Sequence, residues 1–211
     1  MPRFSSAAAS YREATEDRAL TLTAGAHSVV CVADGTSGLP GAAAAAETFI
    51  AGVQRAVELR TIDLTDGAAW TALFCDLDRE IEQQSLAGET TGIALAITPT
   101  SVVGASAGDS RAWLFGETSV ELTADQIRKP RLGTGWASPR PFAAPARGTL
   151  VVGSDGLFDY VPIDEIRAVA RGAADDVASA LVDLVHARSG TLVDDVVIVV
   201  AVLDEASDPS P

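Results

Sequence analysis

Residues 91–122 read TGIALAITPTSVVGASAGDSRAWLFGETSVEL. Four β-type runs lie in this stretch, Thr91 to Ile97, Ser101 to Ala107, Ala112 to Phe115 and Ser119 to Leu122, parted by Thr-Pro-Thr, Gly-Asp-Ser with Arg111, and Gly-Glu-Thr. Strands spaced so tightly predict an antiparallel meander. Upstream, apolar runs on either side of Gly25-Ala26-His27 predict two more strands within Ala19 to Ala33, the second ending at Asp34. Downstream, Leu150 to Val152 is a short strand ending at Gly153-Ser154-Asp155. Val196 to Val202 is apolar throughout, as expected of a strand buried on both faces.

Helical periodicity fills the spaces between. After Gly41 an alanine run leads into Phe49, Val53 and Val57, four residues apart on one helical face. Leu73, Leu77 and Ile81 mark a second helix between Asp66 and Gln84 that ends near Gly88. Ile163, Ile166 and Ala170, then Val177, Leu181, Leu184 and Val185, mark two more. Residues 124–148 carry four prolines and three glycines with no sustained period and read as a surface loop. Central strands with paired helices on both sides predict an α+β protein of packed sheets covered by helices.

Composition sets bounds on function. With 211 residues, 47% of them hydrophobic, and no Pro/Ser/Gly linker, one domain over 1–204 is expected, followed by a frayed tail at 205–211. No apolar stretch approaches the roughly 20 residues of a membrane span, and Met1 to Ser10 lacks the layout of a secretion signal. A cytoplasmic location is expected. A net charge of -14 argues against nucleic-acid and anionic-membrane partners. Cys31 and Cys75 lie far apart in apolar segments and read as buried reduced thiols. Lys129 is the only lysine, and Arg128-Lys129-Pro130 is not a P-loop, which excludes nucleotide hydrolysis of that kind.

The carboxylates carry the functional signal. Asp34, Asp109, Asp155 and the pair Asp194-Asp195 each sit where an apolar run meets a glycine or a turn, and Glu16-Asp17 stands just before another strand. Singly, each is an ordinary turn sequence. Together they place acidic groups at the ends of several buried strands, where they can converge on a hard cation. Oxygen ligands select Mg2+ or Mn2+, whereas zinc wants histidine or cysteine, and His27 and His186 stand alone. Such a site can hold two ions about 3.5 to 4 Å apart and make a shared water acidic enough to attack phosphorus. Arg12, five residues before Asp17, offers the planar fork that suits phosphate oxygens.

In their order along the chain, Arg12-x-x-x-Glu16-Asp17, Val32-Ala33-Asp34-Gly35-x-x-Gly38, Thr90-Thr91, Gly108-Asp109-Ser110-Arg111, Leu122-Thr123-Ala124-Asp125, Ser154-Asp155-Gly156-Leu157-x-Asp159 and Asp194-Asp195 resemble the metal-dependent protein serine/threonine phosphatases of type 2C, in their bacterial single-domain form. The resemblance implies a four-layer α-β-β-α sandwich, two antiparallel sheets flanked by helix pairs. It implies hydrolysis of phosphoserine and phosphothreonine in proteins by a metal-bridged hydroxide, without a covalent intermediate. Asp34 would bridge two Mn2+ or Mg2+ ions, the Gly35 carbonyl would bind one of them, and Asp155 and Asp194 would complete the pair. Glu16 would lie in or just behind this shell, with Asp17 and Asp195 behind it, and Arg12 would bind the substrate phosphate. Asp109 with Asp155 would hold a weaker third ion. The partners implied are phosphorylated proteins and a cognate Ser/Thr kinase or its targets, met by a monomer acting in signalling.

Three positions depart from the family pattern. Thr36-Ser37 replaces Met-Gly or a histidine able to act as general acid, Asp195 stands where asparagine is common, and residues 125–148 form a shortened flap. Two other readings compete. Gly108-Asp109-Ser110 with Asp183-Leu184-Val185-His186 mimics the Gly-Asp-Ser esterases, although their serine opens the domain and this one lies mid-chain. A catalytically weak or inactive pseudophosphatase, acting as a phosphoprotein-binding regulator, would be expected to have lost a metal ligand, and every mapped position keeps its carboxylate.

Overall fold

The computed structural model describes residues 2–10, 15–38, 40–84, 88–172, 176–190, 192 and 194–203. In chain order its strands are β1 (Arg3–Ala9), β2 (Arg18–Ala24), β3 (His27–Ala33), β4 (Gly92–Ile97), β5 (Ser101–Ala107), β6 (Arg111–Phe115), β7 (Ser119–Glu121), β8 (Arg140–Pro145), β9 (Gly148–Gly153) and β10 (Val196–Leu203). The helices are α1 (Ala42–Glu58), α2 (Gly67–Glu82), α3 (Asp155–Phe158), α4 (Ile163–Ala170) and α5 (Val177–Ser189). Two five-stranded sheets result, ordered β1-β10-β9-β6-β7 and β2-β3-β4-β5-β8, with every neighbouring pair antiparallel. Among the described residues no helix is long and apolar enough to cross a membrane.

Three apolar layers hold the sandwich together. Alternate side chains of a strand point to opposite faces, so Val29 and Cys31 of β3 pack outward against Phe49, Val53, Phe74 and Leu77 of α1 and α2. Val30 and Val32 point inward to meet Leu150, Val152, Val197 and Val199 of the other sheet. That sheet turns Val151, Ile198 and Val200 outward to Leu157, Ile166, Leu181 and Val185. β10 is continuously apolar because helices cover one face and a sheet the other. The α-β-β-α order expected from the sequence is the order observed.

Two local expectations are corrected, and one strand was not anticipated. Residues 91–122 are not one meander: β4 pairs with β5 and β6 with β7, but β5 and β6 lie in different sheets. The chain crosses between them at Gly108, whose φ of 105° only glycine adopts freely and where a Cβ would come within 2.7 Å of Thr91 Cβ. Residues 140–145, read as loop, form β8 on the edge of its sheet, where Pro141 and Pro145 do least harm to the ladder. β1 carried no strand signal, since Arg3–Ala9 is mostly small and polar residues with Phe4 its one large apolar side chain, yet it pairs with β10 along its full length. Cys31 is buried as expected, whereas Cys75 is half-buried, and both are free thiols.

Candidate metal centre

The strand registers decide where the acidic residues gather. Arg18 opposes Ala33, Gly92 opposes Ala107, and Gly153 opposes both Arg111 and Ile198. The starts of β2, β4, β6 and β10 and the ends of β3, β5 and β9 therefore share one end of the sandwich. Glu16-Asp17, Asp34-Gly35, Asp109, Asp155 and Asp194-Asp195 all lie at that end, contributed by both sheets.

Each is fixed by its neighbours. The Asp34 N–H donates to Thr91 Oγ1 at 3.1 Å, while its carbonyl accepts from the Thr91 N–H at 2.8 Å and from Thr90 Oγ1 at 2.9 Å. Thr91 Oγ1 and Ser110 Oγ lie 2.6 Å apart in the buried interior, so the hydroxyls of two further strand ends support the Asp34 backbone. A Cβ on Gly35 would sit 2.8 Å from the Ala42 carbonyl oxygen and 3.0 Å from that of Glu16, which explains why no side chain stands there. Asp195 is buried and acts as a tie: Oδ1 accepts from Ser10 Oγ at 2.8 Å and Oδ2 from the Glu16 N–H at 3.0 Å. Its own N–H donates to Asp194 Oδ1 at 2.9 Å. Ser37 Oγ donates to Glu16 Oε2 at 3.1 Å.

Negative charge is crowded here beyond what water can relieve. Burial pushes the Asp34 carboxyl up to about 10, helped by the charges of Asp17 and Asp155, by a hydrogen bond to Asp17 and by the charge of Asp194. Asp17 is raised to about 7, chiefly by burial, with hydrogen bonds to Ser154 and Asp34 pulling it partway back and the charges of Asp195 and Asp155 adding to the rise. Asp155 is raised to about 6 by burial and then by Asp194, Asp109 and Asp159. Carboxyl groups bond to one another only through a shared proton, so carboxyls packed this closely favour the protonated form. A divalent cation supplies the same compensation with twice the charge. Asp17 Oδ2, buried and without a hydrogen-bond partner, also fits a cation-binding end. Among the described residues no three His, Cys, Asp or Glu side chains form a finished metal cage. The all-oxygen donor set of Asp17, Asp34, Asp155 and Asp194 suits Mg2+ or Mn2+.

No protein-family model and no curated protein matches the sequence. Solved structures do match by shape. Serine/threonine phosphatase Stp1 from Staphylococcus aureus aligns with a TM-score of 0.84 over 97% of this chain and 96% of its own, at 18% identity. The S. agalactiae serine/threonine phosphatase gives 0.80 over 97% and 100%, also at 18% identity. The catalytic domain of the serine/threonine protein phosphatase PstP, in complex with two manganese ions, gives 0.76 over 97% and 99%, at 22% identity. This chain has the fold of the bacterial serine/threonine phosphatases.

On that phosphatase fold, Asp17, Asp155 and Asp194 all lie within electrostatic reach of Asp34, and Glu16 is tied to the same cluster through Asp195. Arg12, the expected phosphate ligand, lies outside the described residues. Asp109 behaves differently from the rest: Arg131 Nη2 donates to its Oδ2 at 2.8 Å. Sequence reasoning missed Arg131, because nothing in a proline-rich stretch marks which arginine folds inward. It also missed Asp78 of α2, a buried carboxylate that accepts from the N–H groups of Gly133 at 2.7 Å, Ala137 at 2.9 Å and Gly135 at 3.1 Å, pinning the loop that carries the exposed Trp136. The helical period i, i+3, i+4 puts Asp78 beside Phe74, Leu77 and Ile81 on the apolar side of α2, a signal that was available. The esterase reading fails on geometry, since Ser110 is buried against Thr91 and His186 is exposed on α5.

Proposed function

We propose that the chain is a Mn2+- or Mg2+-dependent protein phosphatase that hydrolyses phosphoserine and phosphothreonine. The observation that carries this reading is the meeting of Asp17, Asp34, Asp155 and Asp194 at one end of the sandwich, with Asp34 raised to about 10. A carboxyl so placed ionises only beside a cation. PstP, with the same fold, is in complex with manganese.

In this reading Asp34, the Gly35 carbonyl, Asp155 and Asp194 hold the ions, with Glu16 in or just behind that set. Such ions, when bound, acidify water and neutralise charge on a phosphoryl group. The chain's own residues do the positioning. Thr90 and Thr91 hold the Asp34 backbone so that its carboxyl is aimed before anything binds. Asp195 draws the Glu16 segment against the β10 end, and Ser37, one of the Thr36-Ser37 pair that stands in place of Met-Gly or a general-acid histidine, donates a hydrogen bond to Glu16. A serine there is no acid at neutral pH, so the leaving oxygen takes its proton from water. Arg12 would bind the substrate phosphate, and the partners are phosphorylated proteins of a kinase-linked signalling system.

The test is p-nitrophenyl phosphate hydrolysis by the purified chain with Mn2+ and with EDTA. Hydrolysis that needs Mn2+ and disappears in Asp155→Asn supports the proposal. No metal-dependent hydrolysis supports the regulator instead, a protein that binds phosphorylated partners without turning them over.

A further inference from the structure

The resemblance to type 2C phosphatases assigns Asp109 and Asp155 to a weaker third ion, but the surroundings of Asp109 are already cationic. Asp109 sits where the chain crosses from β5 to β6, close enough to Asp155 to help raise it. The Arg131 guanidinium reaches in from the 125–148 segment to 2.8 Å from Asp109 Oδ2, and the two side chains are only 16% and 14% exposed. We propose that Arg131 takes the place of the third ion as a tethered guanidinium, so that the chain holds two divalent ions and not three. This rests on the two-ion reading given above.

The backbone around Arg131 is held from both sides. Leu132 exchanges two hydrogen bonds with Thr90, the N–H of each donating to the carbonyl of the other at 3.1 and 3.0 Å, and Thr90 in turn holds Asp34. Thr134 Oγ1 donates to the Arg131 carbonyl at 2.8 Å, and the three N–H groups on Asp78 fix the residues that follow. The ordering entropy of this arginine is therefore met by the fold, and its charge acts at high effective concentration beside Asp109. A guanidinium is also less strongly hydrated than an ammonium, so it suits a pair shielded from solvent. An incoming ion would meet this fixed positive charge, carried by a guanidinium whose Nε lacks a partner in the buried interior. Asp109 Oδ1 is likewise buried without a hydrogen-bond partner, and it is the oxygen a metal ion would take once the arginine is gone.

The experiment counts Mn2+ per chain by equilibrium dialysis and elemental analysis, with thermal melting to confirm folding. Wild type should hold two ions, and Asp109→Asn should still hold two. Arg131→Ala should gain a third, weaker one, which the double variant Arg131→Ala/Asp109→Asn loses again. Three ions on wild type, falling to two in Asp109→Asn, would overturn the inference and leave the phosphatase reading standing. An Arg131→Ala protein that folds and still holds two would also overturn it. If Arg131→Ala does not fold, the wild-type and Asp109→Asn counts decide. Wild type binding no Mn2+ overturns the two-ion reading itself, and this inference with it.

Discussion

Asp34→Asn should do two opposite things to this protein. The carboxyl is raised from 3.8 to about 10, so at pH 7 it stays protonated when folded but is ionised in the unfolded chain. A carboxyl whose folded pKa is raised contributes most below its unfolded value, and that contribution is lost as pH climbs toward the folded value. Between 3.8 and pH 7 lie about three units, and at about 1.36 kcal/mol per unit the handicap reaches up to about 4 kcal/mol. Asp17 and Asp155 share this deficit with Asp34, so their handicaps do not simply add. Asparagine keeps the shape, carries no charge and can donate to Asp17 and Asp155 through its amide. In EDTA at pH 7.5, urea unfolding of Asp34→Asn should therefore give a free energy about 1 to 4 kcal/mol above wild type, narrowing toward zero at pH 4. The same variant should lose Mn2+-induced stabilisation and all turnover. A variant less stable than wild type in EDTA at pH 7.5, or one that keeps Mn2+-dependent turnover, refutes the reasoning.

The wild type should show the same linkage from the other side. With Asp155 raised to about 6 and Asp17 to about 7, its Tm in EDTA should fall between pH 5 and pH 8, and saturating Mn2+ should remove that fall. A Tm in EDTA that rises over this range contradicts the charge crowding. Asp78→Ala strips three N–H groups of their acceptor and should cost roughly 2 to 4 kcal/mol in urea unfolding. Unchanged stability would mean water replaces the carboxylate freely. Arg12→Ala should raise KM for a phosphopeptide more than it lowers kcat, and an equal loss in kcat and kcat/KM would make Arg12 a transition-state group instead.

How much of this was written in the sequence depends on what each segment packs against. α1 and β10 were legible because their periodicity reports burial directly: one helical face in the first, both faces of a strand in the second. The carboxylates were legible because strand ends are local features, and Asp34 or Asp155 can be placed on one without knowing the topology. The crossing at Gly108 was not, since a tight turn between two strands looks the same whether they pair with each other or with β8 and β9. β8 was hidden by its prolines and β1 by its small residues, because edge strands draw their order from partners far away in sequence. Asp195 looked like an extra negative charge beside the metal ligands, but its hydrogen bonds to Ser10 and Glu16 make it a tie between segments some 180 residues apart. Arg131 and Asp109 meet because the loop is folded back by Asp78 and by the Thr90–Leu132 pairing. No local pattern encodes that contact.

The central claim is tested most directly by phosphate release from matched phosphoserine, phosphothreonine and phosphotyrosine peptides as Mn2+ is titrated. The account predicts release from the first two that saturates with Mn2+ and vanishes in EDTA, with little from phosphotyrosine. Binding of the phosphopeptides without release at any Mn2+ concentration would contradict it.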